Sequence, residues 1–70
     1  MRYTIVFERE PDGGYVVTVP ALPGCVSQGD THDEAVANIR EAILAYLEAL
    51  KIAGDPIPVD VECETVEVAA

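Results

Sequence analysis

From Tyr3 to Glu8 the side chains alternate, with Tyr3, Ile5 and Phe7 on one side and Thr4, Val6 and Glu8 on the other. A period of two is that of an extended chain with one buried face, so this stretch predicts a strand. Tyr15 to Val19 repeats the pattern, Tyr15, Val17 and Val19 opposing Val16 and Thr18. Pro11-Asp12-Gly13-Gly14 separates the two runs and supplies turn-forming residues, which makes them a hairpin. Pro20 has no N–H to donate and ends the second strand. Pro23-Gly24 marks another reversal, after which Cys25-Val26-Ser27 predicts a short third antiparallel strand.

The period then lengthens. Ala35, Ile39, Ala42, Ile43, Tyr46 and Leu50 fall on one stripe of a helix running from His32 to Ala53. Thr31 stands where its hydroxyl caps the free N–H groups, and Glu34, three residues on, completes a capping box. Gly54 and Pro56 stop the helix. Alternation returns from Val59 to Val68, where Val59, Val61 and Cys63 oppose Asp60, Glu62 and Glu64, predicting a fourth strand with its acidic side in water. Ala69-Ala70 is expected to fray. The fold class expected is α+β in the order β-β-β-α-β: a mainly antiparallel sheet of three to four strands with one helix on one face, forming a single domain over residues 1–70.

Charge narrows the choice of partner. Four Lys and Arg against 13 Asp and Glu leave a formal net charge of −9. That sign repels nucleic-acid phosphates and anionic lipid headgroups and attracts basic proteins, although it also serves plain solubility. No apolar run reaches the ~18 residues of a membrane span. No secretory leader is evident, so a cytoplasmic location is expected. The two cysteines, Cys25 and Cys63, fit neither a disulfide framework nor a close metal-ligand spacing and read as free, buried thiols.

Chemistry finds little to work with. His32 is the single histidine, placed in the exposed first turn of the helix, and nothing sets Ser27 or Cys25 against it as a nucleophile. Asp30, Asp33 and Glu34 read as a charged helix start rather than a metal site, and the glycines as turn residues rather than a phosphate loop. No catalytic residue, metal or cofactor is expected, and the protein reads as a non-enzyme working by its surface. Leu44 falls opposite the apolar stripe, among Ala37, Arg40, Glu48 and Lys51, which makes Leu44 and Glu48 candidate partner contacts. One helix leaves the other sheet face, with Thr4, Val6, Val16 and Thr18, uncovered; that face or an open strand edge is the expected place for self-association into a homo-oligomer.

The run from Tyr15 to Thr31, holding Leu22-Pro23-Gly24-Cys25 and Gly29-Asp30-Thr31 and continuing through Asp33-Glu34-Ala35 and Asn38-Ile39-Arg40-Glu41-Ala42, resembles the signature of the HicB-like antitoxin family. The resemblance extends from the first strand to the end of the helix. It implies a truncated RNase H-like domain without catalysis, whose partner is a HicA-like toxin, a small basic ribonuclease that cuts messenger RNA with a histidine. Leu22, Pro23, Gly24, Cys25, Gly29, Asp30 and Thr31 are then structural motif residues at turn and cap positions. Family members typically continue into a DNA-binding domain that represses their own operon; a chain ending at Ala70 has no room for one, so autorepression is not expected. Ala21 stands where an acidic residue often precedes the Leu-Pro-Gly motif. Residual two-metal nuclease chemistry is not expected either, since the strand runs carry only Glu8. The function implied is neutralisation of a basic HicA-like toxin by occluding its surface. The alternative is an orphan oligomeric HicB-like binding module with no toxin partner.

Overall fold

A computed structural model describes residues 1–69. Its elements are β1 (Val6–Arg9), β2 (Tyr15–Thr18), β3 (Val26–Gly29) and α1 (His32–Ala53), and the three strands form one antiparallel sheet in the order β1-β2-β3. Val6 pairs with Thr18 and Arg9 with Tyr15 on one side of β2, while Tyr15 pairs with Gly29 and Thr18 with Val26 on the other. The frayed end expected at Ala70 lies outside the described residues.

The inner sheet face is the one the alternation predicts. Val17 and Val19 are buried, and Tyr3, Ile5, Phe7 and Tyr15 pack around them. Leu22, Cys25, Ala35 and Ile39 complete the core, with Leu22 and Val17 fully enclosed. Each such aliphatic side chain contributes on the order of 1.5–3 kcal/mol by leaving water. The helix packs chiefly on β3 and then on β2, so β1 stands at its side as an open edge.

Helix boundaries match the expected ones at both ends. Thr31 is extended and its Oγ1 accepts from the Glu34 N–H at 3.1 Å, while Gly54 adopts the left-handed conformation (φ 76°) and donates to the last-turn carbonyls. The capping box takes a variant form: the Glu34 carboxylate accepts from the Asp30 N–H at 3.4 Å, one residue before the N-cap, instead of from Thr31.

Three expectations are corrected. The first strand begins at Val6 rather than Tyr3. Continuing the register would set Thr4 opposite Pro20, which has no N–H, and the chain has by then turned, with Leu22 N–H bonded back to the Val19 carbonyl. The fourth strand is not formed, so the sheet has three strands; residues 56–69 carry no helix or strand. Where this segment meets the start of the sheet, its contacts run through side chains: an Asp60 carboxylate accepts from the Thr4 N–H and the Pro58 carbonyl accepts from the Tyr3 hydroxyl. Cys63 is in consequence exposed, against the expectation of burial, whereas Cys25 is buried as expected.

Candidate protein-binding site

The motif residues occupy supporting positions. Leu22 fills the core, the Pro23 carbonyl accepts from the Tyr46 hydroxyl at 2.9 Å, and Gly24 sits at φ 83°, so the Leu-Pro-Gly turn is tied to the helix flank. Burial pushes the Cys25 thiol above its ordinary pKa, because a thiolate would lose hydration there. Gly29 lets the helix start approach β3 closely: a Cβ added at residue 29 would lie 2.5 Å from the Ala35 nitrogen. The side-chain amide of Asn38 donates to the Gln28 carbonyl at 2.7 Å, a second tie between β3 and α1.

That tight junction shapes one end of the molecule. Because Arg9 pairs with Tyr15 and Tyr15 with Gly29, the β1–β2 turn lies beside the start of the helix. Glu10 and Asp12 are thereby brought to Asp30 and Glu34, and these four carboxylates border a cleft of about 310 Å³ that Tyr15, Gln28 and Asn38 also line. All four side chains are exposed. Their fields add at this mouth and favour a cationic side chain there. Sequence reasoning took Asp30 and Glu34 as helix-start charges and did not join them to Glu10 and Asp12. The signal that joins them is strand register, which residue order alone does not state.

His32 was expected as exposed helix filler. It is exposed, but its ring stacks on Phe7 with centroids 4.3 Å apart and meets Tyr15 edge-on at 5.8 Å. Its Nδ1 lies 3.9 Å from Asp33. Among the described residues no group of three His, Cys, Asp or Glu side chains is placed to hold a metal ion, and no helix is long and apolar enough to cross a membrane.

Apolar surface is displayed in two places. On the uncovered sheet face Val6, Thr18 and Val26 line up across the three strands, with Val6 and Val26 about half exposed. On the helix, Leu44 is 64% exposed and Glu48 is exposed one turn further on. Leu44 also borders a groove of about 510 Å³ between the helix and the N-terminal segment, floored by Tyr3, Ile5, Ile39, Ile43 and Leu47 with Arg40 among its lining residues.

The family described as HicB-like antitoxin of bacterial toxin-antitoxin system matches residues 3–69. A UPF0150 protein of Thermoplasma acidophilum is 55% identical over 60 residues, covering 86% of this chain and 87% of its own. Antitoxin HicB 1 of Photorhabdus laumondii is 38% identical over 48 residues, which are 69% of this chain and 31% of that longer protein. In three dimensions the chain is similar to the crystal structure of the N-terminal domain of the Burkholderia pseudomallei antitoxin HicB: TM-score 0.69 and 39% identity over 87% of this chain and 69% of that one. A match to nearly the whole described chain, with the fold in agreement, places the protein in the HicB-like antitoxin family.

Proposed function

We propose that the protein neutralises a basic, HicA-like, messenger-RNA-cleaving toxin in the cytoplasm by binding over the toxin's working surface, without catalysis of its own. Membership of the antitoxin family carries the reading. The net charge of −9 and the gathering of Glu10, Asp12, Asp30 and Glu34 at one mouth support it, since both steer a cationic protein toward that end. The side of the helix bearing Leu44 and Glu48 serves protein contacts as well, and self-association is part of the proposal.

The test is titration of the protein into a purified HicA-type ribonuclease, with binding followed by calorimetry and activity by RNA cleavage. Stoichiometric binding that silences cleavage is expected. Glu10→Lys together with Asp30→Lys is expected to weaken binding roughly tenfold, mostly by slowing association. No binding to any cationic HicA-type protein would remove this reading in favour of a second, an oligomeric HicB-like module with no toxin partner. One observation favours that alternative: the uncovered sheet face displays Val6 and Val26 about half exposed, an apolar patch suited to a second copy.

A further inference from the structure

Beyond α1 the chain doubles back to the start of the sheet. The Tyr3 hydroxyl donates to the Pro58 carbonyl at 2.6 Å, and the Thr4 N–H and hydroxyl donate to the two Asp60 carboxylate oxygens at 2.9 and 2.7 Å. After this anchor the chain leaves the body as an arm. Val66 and Val68 are each 77% exposed, and among the described residues the arm's backbone makes no backbone–backbone hydrogen bond. A segment that displays valines and leaves its N–H and C=O groups without protein partners is suited to one half of an interface.

The other half lies beside the arm's root. Met1 and Tyr3 line both the apolar groove and the small hollow where Ile57, Pro58, Val59 and Asp60 rest. The groove runs along α1 from Val36 to Leu47, about 17 Å at helical rise. Eight arm residues from 61 to 68 reach about 26 Å when extended, enough to follow it. Charge agrees with shape. In an extended arm Glu64, Val66 and Val68 point to one side, and the groove offers an apolar floor with Arg40, which has no carboxylate within ion-pairing distance among the described residues.

We infer that the groove between the N-terminal segment and α1 receives the C-terminal arm of a second copy of this chain, Val66 and Val68 covering the apolar floor beside Leu44 and Glu64 approaching Arg40. Because each copy carries one arm rooted next to one groove, the exchange is reciprocal and closes as a two-fold dimer. This specifies the self-association proposed above and is independent of the toxin.

The experiment is light scattering coupled to size exclusion, over a range of concentrations, on the full chain, on Val66→Asp with Val68→Asp, and on Leu44→Asp. All substituted positions are exposed, so each variant is expected to keep the helical circular dichroism of the parent. The parent is expected to dimerise, the arm variant to weaken the dimer roughly ten-thousandfold, the loss matching burial of four valine side chains, two from each arm, and the groove variant to weaken it as well. An arm variant mixed with the groove variant is expected to recover part of the association, since one intact arm and groove remain per pair. A parent that stays monomeric at every concentration overturns both the arm exchange and self-association, whatever its toxin binding. A dimer that the arm variant leaves as tight as the parent's overturns the exchange and keeps self-association. Variants that lose toxin binding and not the dimer would assign the groove to the toxin instead.

Discussion

At the scale of single residues, Gly29 has the sharpest requirement in the molecule. Its own backbone dihedrals are unremarkable, with φ outside the left-handed region; what excludes a side chain is the start of α1, whose Ala35 nitrogen and Cα would lie 2.5 and 2.9 Å from a new Cβ. All the closest atoms are backbone, so nothing flexible can swing away, and the helix itself would have to lift from β3. Gly29→Ala is therefore expected to cost about 1–3 kcal/mol, lowering the melting temperature by roughly 4–8 °C for each kcal/mol in a chain of this size. Gly14→Ala is the control: its added Cβ would sit 3.4 Å from the Gly29 carbonyl oxygen, ordinary contact at a residue with no positive φ. Thermal melts followed by circular dichroism check both. Equal losses at the two positions would mean that general glycine effects, not the helix junction, set the cost.

At the scale of elements, the chain divides into parts whose form is decided locally and parts decided by a partner. Thr31, Gly54 and the Ala35–Leu50 stripe define α1 at both ends because caps and a helical face are properties of neighbouring residues. The inner faces of β1 and β2 were legible for the same reason. The start of β1 was not, since it depends on Pro20 across the hairpin; nor was the acidic mouth, which exists only through the pairing of Tyr15 with Gly29. The arm shows the difference most clearly: alternation states that Val59 to Val68 favours an extended form, but a strand also needs backbone partners, and this segment meets the N-terminal residues only through side-chain groups, Asp60 with Thr4 and the Tyr3 hydroxyl with Pro58. That contact has a pH signature. The Thr4 backbone N–H, then its hydroxyl, hold the Asp60 carboxyl below its ordinary value. A lowered folded-state value means the anchor is at full strength above about pH 5, where an unfolded Asp is already ionised, and is lost as pH falls through the folded value. An NMR titration is expected to show the Thr4 amide moving with the Asp60 carboxyl, at a midpoint below the ordinary aspartate value, and Thr4→Val is expected to raise that midpoint. A Thr4 amide that stays still through the Asp60 titration would mean the arm is not rooted there.

At the scale of the whole molecule, the net charge acts with opposite signs on the two proposed associations. A chain at −9 attracts a cationic toxin and repels its own copy. Salt screens both effects: the Debye length falls from about 10 Å at 0.1 M to about 3 Å at 1 M. Binding of a basic ribonuclease is therefore expected to weaken as salt is added, through a falling association rate while dissociation changes little, because steering acts before contact and burial acts after it. Self-association is expected to strengthen over the same range, since the apolar contact of Val66 and Val68 with the groove survives screening while repulsion between two acidic bodies is removed. Stopped-flow mixing with the toxin and light scattering of the protein alone, at matched salt concentrations, measure the two trends side by side. If both weaken with salt, the Glu64–Arg40 attraction outweighs the repulsion between copies, and the dimer is held by ion pairs rather than by its valines.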